Sequence, residues 1–185
     1  MLRFFIFLKN LYYIFACSGI YFRRVINMKH RRVWTYTFWI VLTEAVGALS
    51  GWLTRDGMEL YQATVEKPAL SPPPIVFPIA WGILYALMGI GMARVVLSAR
   101  SEERTDAIQI YLLQLAVNFV WSIFFFNLRT YAGALLVLLL LLALVIWMII
   151  RFRRVDRPSA QLQIPYVLWT AFAAYLNAGV WYLNR

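Results

Sequence analysis

Cysteine and histidine are almost absent from this 185-residue chain, in which Cys17 and His30 are the only examples. One cysteine permits no intrachain disulfide, and one cysteine with one histidine cannot supply the ligands of a structural metal site. We therefore expect no metal site and no histidine-ligated haem. Charge is scarce as well, since 14% of the residues are Asp, Glu, Lys or Arg, against about 25% in soluble domains.

Apolar residues are abundant instead. Hydrophobic residues make up 63% of the chain and aromatic residues 17%, and the mean hydropathy is +0.68. This composition leaves too little polar surface to face water and predicts an integral membrane protein. Because a spanning helix needs roughly 20 apolar residues plus a connection, the chain holds about five or six spans. That leaves no room for a catalytic soluble domain, a nucleotide-binding fold or a nucleic-acid module.

The apolar windows predict an all-α bundle of five transmembrane helices. They cover about 34–54, 75–97, 108–128, 132–150 and 162–183. Lys and Arg number 18 against 8 Asp and Glu, a net charge of +10, and they cluster between the windows. The positive-inside rule then predicts that a chain starting at Met28 has that end inside and its C-terminus outside. The basic excess is thus a matter of topology, and we expect no nucleic-acid partner.

Residues 1–27 form a separate segment in this interpretation. The apolar run 11–22 lies between basic residues, which fits a signal-like segment, a sixth span or an interfacial helix. The residues from Met28 to Arg32 are typical of an ordinary start before a first membrane helix. We interpret 1–27 as an N-terminal extension, either signal-like or the product of a mis-assigned start, and 28–185 as the membrane domain.

Glu44 lies near the middle of the first window. An ionisable group there costs about 2.5–3.5 kcal/mol on insertion scales, so this side chain is expected to face protein or a water-filled cavity. Gly47 and Gly51, four residues apart, form a stripe that lets another helix approach closely. Two interpretations of Glu44 stay open: a carboxyl that joins helices, and a group that couples to protons or binds a cation.

The longest connection, residues 55–74, is rich in proline. Proline fixes φ and removes an N–H donor, so Pro68 and the run Pro72-Pro73-Pro74 predict a stiff lid loop between the first two helices. Tyr61 belongs to the same connection. Connections of this length in compact domains are commonly functional.

Three windows carry aromatic and amide residues at helical spacing, so that each set shares one helix face. Buried amides need partners, and these ones serve either as interhelical contacts or as the wall of a ligand site. Aromatic faces with a few amides suit a flat, mostly apolar ligand held by stacking. The fourth window has no interior polar group and is interpreted as a lipid-facing scaffold. The three sets are Trp81, Tyr85 and Met88; Gln114, Asn118 and Trp121; and Tyr166, Trp169, Ala173 and Asn177.

Three motifs follow one another along the chain. They are Lys67-Pro68-Ala69-Leu70-Ser71-Pro72-Pro73, Gln114-x3-Asn118-x2-Trp121-Ser122 and Pro165-Tyr166-x2-Trp169-x2-Phe172-Ala173-x2-Leu176-Asn177. Together they resemble the TspO/MBR family, which comprises tryptophan-rich sensory proteins and the mitochondrial translocator protein. The resemblance implies a five-helix bundle, commonly dimeric, whose pocket opens toward the first connection. It also implies binding of porphyrin or haem, and of sterols. The implied ligand-binding residues are Trp81, Tyr85, Gln114, Asn118, Trp121, Trp169, Phe172 and Ala173, and the implied lid residues are Tyr61, Pro68, Pro72 and Pro73.

The function that follows from this resemblance is a membrane sensor or translocator that binds tetrapyrroles as ligands, requires no cofactor and forms a homodimer in the lipid bilayer. Two alternatives stay open. One is an enzyme that degrades porphyrin with light and oxygen, although no acid–base constellation supports a catalytic residue. The other is a proton-coupled exporter of lipophilic cations that uses Glu44.

Overall fold

The computed structural model describes the backbone of residues 2–185 and the side chains of residues 28–185. The described chain is helical and contains no strand, which confirms the all-α class. The predicted extension at 1–27 lies outside the residues whose side chains are described. Residues up to 35 and residues 36–185 form two compact units, and the packing described below is that of 36–185. The elements are α1 (Leu2–Leu53), α2 (Arg55–Thr64), α3 (Val76–Leu97), α4 (Glu102–Ser122), a π-helical turn (Ile123–Asn127), α5 (Tyr131–Val155), α6 (Arg157–Gln161) and α7 (Ile164–Leu183).

Three stretches are long and apolar enough to cross a membrane: Val76–Leu97, Glu102–Asn127 and Tyr131–Val155. Met28–Leu53 meets the same criterion together with α2, from which it is bent by 57°. The 20 residues of α7 span about 30 Å, but this helix is not among the three that are both long and apolar enough. The described part of the chain thus has three candidate spans, or four with the bent pair.

The connection after the first helix corrects the prediction of one long loop. α1 ends at Leu53, and Thr54 Oγ1 donates a hydrogen bond to the Ser50 carbonyl at 2.8 Å. The next ten residues, Arg55–Thr64, form α2. They include good helix formers such as methionine, leucine and glutamine, and Asp56 in the first turn complements the helix dipole. Sequence windows missed α2 because it is too polar to register as a span.

The remainder of the connection, residues 65–75, is here called the proline segment. The side chain of Asn184, just after α7, binds the main chain of Glu66 twice: Glu66 N–H donates to Oδ1 at 3.0 Å, and Nδ2 donates to the Glu66 carbonyl at 2.9 Å. The Tyr175 hydroxyl donates to the Ala69 carbonyl at 3.0 Å. These bonds hold the proline segment against α7.

Helices α4, α5 and α7 form the packed region, with α5 in contact with both of the others. Leu138, Leu141, Val145 and Met148 on α5 are fully buried there. Leu140 and the rest of the opposite face of α5 are exposed. The interpretation of this helix as a lipid-facing scaffold therefore fits one face only, because the other face is core.

Asp156 ties the end of α5 to α3. Its carboxylate accepts hydrogen bonds from Arg94 Nε at 2.8 Å and Nη2 at 3.2 Å, and it caps α6 by accepting from the Ser159 N–H at 3.0 Å. Burial raises the pKa of Asp156, but the hydrogen bonds from Arg94 and Ser159 outweigh burial and hold this pKa below its usual value. The turn between α5 and α6 is thus fixed by a charge-assisted contact.

Candidate functional site

A cavity of about 540 Å³ lies between α1, α2, α3, the π-helical turn and α7. Pockets that hold small ligands have volumes of about 300–1,000 Å³ and mostly apolar linings. This lining is predominantly aromatic and aliphatic, with few polar side chains. The lining residues that matter below are Glu44, Gly47, Gly51, Tyr61, Trp81, Tyr85, Trp121, Phe125, Ala173, Leu176 and Asn177.

Four rings on α3, α4 and the π-helical turn form what we call the aromatic wall of the cavity. Trp81 and Tyr85 stack with ring centroids 5.4 Å apart and 30° between their planes. Trp81 and Trp121 are 6.2 Å apart at 35°, and Trp121 and Phe125 are 5.6 Å apart at 34°. The wall therefore presents a series of rings whose neighbouring planes are tilted by about a third of a right angle, a surface on which a flat ligand can stack.

Trp121 is held in place by a hydrogen bond to α7. Its Nε1 donates to Asn177 Oδ1 at 3.3 Å, and Asn177 Nδ2 donates to the Tyr131 carbonyl at 2.8 Å. Asn177 also lines the cavity. It was named in the sequence motif but not among the ligand-binding residues, although its place on the same stripe as Ala173 was an available signal.

The predicted residues Gln114 and Asn118 lie behind the wall and do not line the cavity. Tyr85 OH donates to Asn118 Oδ1 at 2.8 Å, and Asn118 Nδ2 donates to the Tyr166 hydroxyl at 2.7 Å. The Tyr166 hydroxyl in turn donates to Gln114 Oε1 at 2.9 Å. This buried chain joins α3, α4 and α7, and it orients the Tyr85 ring toward the cavity.

The two glycines of α1 have different surroundings. A Cβ atom at position 47 would overlap the Tyr85 ring, whereas a Cβ atom at position 51 would have no heavy atom within 4 Å beyond its own helix and chain neighbours. Gly47 therefore permits the close approach of α1 to α3. Gly51 faces open space. Of the predicted packing stripe, Gly47 therefore makes a helix contact and Gly51 forms part of the cavity surface.

Trp81, Tyr85, Trp121 and Ala173 are the predicted ligand-binding residues that the structure brings together around the cavity. Trp169 and Phe172 lie outside its lining. Trp169 packs edge-on against Phe77, with centroids 6.0 Å apart, and its Nε1 is buried without a hydrogen-bond partner among the described residues. Residues Met58, Phe77, Phe125, Phe126 and Leu176 line the cavity although they were not among the predicted site residues.

Of the predicted lid residues, some line the cavity and others do not. Tyr61 on α2 lines the cavity and packs on Phe125, with ring centroids 5.3 Å apart. Pro68 lies against α7, where a Cβ atom at position 179 would be 2.5 Å from Pro68 Cβ. Pro72 and Pro73 do not line the cavity, whereas Pro74 does. The cavity is thus bordered by α2 and by the last part of the proline segment.

Few charges lie near the cavity. Lys67 Nζ is 5.5 Å from the centre of the Tyr61 ring, which places this cation at the rim. Arg55 instead pairs with Asp56 at 3.1 Å and lies over the Trp52 ring. Within residues 28–185, no three Asp, Glu, His or Cys side chains lie close enough together to hold a metal ion.

The sequence model of the TspO/MBR family matches residues 13–183. The chain belongs to the TspO/MBR family. The match begins within residues 1–27, and our interpretation of that segment as an extension stays a prediction. Membership of this family, together with the apolar helices described above, confirms a TspO/MBR membrane protein.

Individual relatives of this TspO/MBR protein are found in bacteria and in animals. The tryptophan-rich protein TspO of Chlorobaculum tepidum is 31% identical over 84% of this chain and 99% of its own length. Protein CrtK of Rhodobacter capsulatus is 40% identical over 65% of this chain and 76% of its own. The translocator protein of Ovis aries is 32% identical over 82% of this chain and 92% of its own.

Proposed function

We propose that this TspO/MBR protein binds a tetrapyrrole in the cavity and acts in the membrane as a sensor or translocator of that ligand. The observation that supports the proposal most directly is the aromatic wall, in which Trp81 stacks on Tyr85 and lies beside Trp121. A tetrapyrrole is a large, flat π system with an apolar periphery. Stacking on such a wall recognises its shape and needs no axial metal ligand.

The rigidity of the wall supports the same proposal. Hydrogen bonds to Asn118 and Asn177 hold Tyr85 and Trp121 in place. A ligand that stacks on rings already held in place loses less conformational entropy on binding than one that must order them. Asn118 therefore serves the site indirectly, as a positioning residue, whereas Asn177 both positions Trp121 and lines the cavity.

The charges at the rim suggest an orientation for the ligand. Tetrapyrroles such as protoporphyrin carry their propionates on one edge, and the Lys67 ammonium lies over the ring of Tyr61, which lines the cavity. A propionate paired with Lys67 would form a charge-assisted contact in reach of water. The apolar edge of the ring would then enter the cavity first.

The test is a titration of the detergent-purified full chain with protoporphyrin IX, followed by the shift of the porphyrin absorbance band. A Trp81→Phe, Trp121→Phe double variant loses part of the stacking surface, and at about 0.5–1.5 kcal/mol for an aromatic pair we expect affinity to fall roughly three- to tenfold. Trp147→Phe, on the exposed face of α5, is the matched control and should bind like the wild type.

Unchanged affinity in the double variant would contradict this site. If Trp169→Phe were the change that weakened binding, the porphyrin would lie instead between Trp169 and Phe77. Five membrane crossings, the orientation with the C-terminus outside, a homodimer and a sterol ligand remain our predictions from sequence. For the five crossings, α7 and the bent α1–α2 pair would have to join the three candidate spans.

A further inference from the structure

We infer that the cavity accepts a lipophilic cation whose positive charge lies at the Glu44 carboxylate and whose apolar body lies along the aromatic wall. This inference concerns the same cavity as the proposed function, but it does not depend on tetrapyrrole binding. It rests on the position of Glu44, on the lack of a partner for it, and on the rings beside it.

Glu44 lines the cavity and has no cationic partner among the described residues. The ion pairs within residues 28–185 are Arg55–Asp56, Arg94–Asp156 and Arg151–Asp106. Among the described lining residues, Glu44 is the only one that is an Asp, Glu, Lys, Arg or His. The carboxylate is therefore available to a ligand in the cavity.

On α1, Glu44 lies at the end of the cavity lining that is farther from α2. It precedes Thr54 at the end of α1 by ten residues, which corresponds to about 15 Å along the helix axis. The ring of Tyr85 faces the same part of α1, but its hydroxyl donates to Asn118 at 2.8 Å. Lys67 lies at the rim and Arg55 pairs with Asp56. No described group is thus positioned to neutralise Glu44 from within the cavity.

A carboxylate in this position favours one class of ligand. In the low-dielectric region of a membrane an ionisable group is costly and normally marks a pathway or a site. The faces of Trp81 and Tyr85 on α3, which line the same cavity, attract cations through their ring quadrupoles. A lipophilic cation meets both features, whereas an anion at the same place would face an uncompensated like charge.

The side chains at the two ends of the cavity, Lys67 and Glu44, are therefore of opposite charge type. A ligand carboxylate fits the Lys67 rim, and a ligand cation fits the Glu44 end. A compound with a cationic group on an aromatic body would contact only Glu44 and the aromatic wall. This distinguishes the ligand class inferred here from a tetrapyrrole whose propionates stay at the rim.

The experiment is isothermal titration calorimetry of the detergent-purified full chain with tetraphenylphosphonium and with its anionic isostere tetraphenylborate, each corrected for the heat of partition into micelles. We expect the wild type to bind the cation roughly tenfold more tightly than the anion. Glu44→Gln, which keeps the shape and removes the charge, should remove that preference. Glu44→Asp should retain part of it, and Glu59→Gln, an exposed carboxyl outside the cavity, should behave like the wild type.

Equal affinity of the wild type for the cation and the anion would overturn the inference, and this comparison needs no variant to fold. So would a folded Glu44→Gln protein that binds tetraphenylphosphonium as tightly as the wild type. The porphyrin titration is independent of both results: loss of porphyrin binding with retained, Glu44-dependent cation binding contradicts the proposed function alone. Porphyrin binding together with equal affinity for the cation and the anion contradicts this inference alone.

Discussion

The cavity and the packed region are both apolar, yet one is open and the other is filled. The cavity is bordered by rings on α3 and the π-helical turn, and by Gly51 on α1. The packed region is filled by aliphatic side chains of α5, such as Leu141 and Met148, which are fully buried. Flexible aliphatic chains interdigitate to close packing. The rings of Tyr85 and Trp121 are rigid and held by hydrogen bonds. They therefore cannot move to fill the space that Gly51 leaves open.

This difference shows that apolar character alone does not determine whether two membrane helices meet or leave a site between them. In lipid, side chains gain little by leaving a solvent as apolar as themselves, so contact depends on shape and on a few polar bonds. Gly47 permits contact because the Tyr85 ring fits against it, and Gly51 on the same stripe permits none. The following predictions test that distinction.

The largest effect is expected where packing is complete. Leu141→Ala opens a void in the packed region and should lower the free energy of unfolding by about 2–5 kcal/mol, because the surrounding helices can collapse only in part. Leu176→Ala makes the same chemical change in the cavity lining, where one side of the residue already faces open space, and should cost clearly less. The measurement is the thermal unfolding midpoint in detergent.

Leu140→Ala, on the exposed face of α5, is the control for the leucine pair and should change stability by less than about 0.5 kcal/mol. If Leu176→Ala were as destabilising as Leu141→Ala, the cavity side of α7 would be as tightly packed as the core. The contrast between the two regions would then be lost.

An intermediate effect is expected from the two glycines. Gly47→Ala forces the Tyr85 ring away from α1 and should cost about 1–3 kcal/mol, as overpacking does in a filled site. Gly51→Ala meets no atom within 4 Å outside its own helix and chain neighbours and should be close to neutral in stability. The pair should be compared by thermal unfolding and by protoporphyrin titration. Equal destabilisation by both would mean that the stripe is a single helix contact.

The smallest effect concerns the charged tie between α3 and the α5–α6 turn. The pKa of Asp156 is lower in the folded protein than its usual value of about 3.9, so the unfolded chain binds more protons and stability rises with pH. This contribution is complete above the usual pKa and is lost as the pH falls through the folded pKa. Asp156→Asn should flatten the acid side of a plot of thermal midpoint against pH, and an unchanged acid limb would show that the tie is not electrostatic.

Helix positions were predicted well wherever apolar residues define them. The second and fifth windows, 75–97 and 162–183, agree closely with Val76–Leu97 and Ile164–Leu183. α4 begins earlier than its window, at Glu102, because Ser101 caps it by accepting from the Arg104 N–H at 3.1 Å. α2 was missed, since hydropathy does not detect a short polar helix. Helix ends depend on capping and turn residues that apolar windows do not include.

Site residues were predicted less evenly. Trp81 and Trp121 were selected from helical stripes and lie at the cavity. Trp169 was selected by the same reasoning, yet it packs against Phe77 outside the lining. Periodicity shows which residues share a face, but it does not show which neighbour that face meets. The side of α7 that borders the cavity is the side of Ala173 and Asn177.

The sequence by itself determined that the chain is an all-helical membrane protein of the TspO/MBR family, because long apolar runs and ordered motifs need no tertiary information. It also predicted that Glu44 avoids lipid, since hydrocarbon rejects a carboxyl. Only the tertiary structure decided which rings stand together, that the proline segment is held on α7, and which glycine faces the cavity. Lipid and protein interiors are equally apolar, so the rotation of each helix is set by side-chain shape and by a few buried hydrogen bonds.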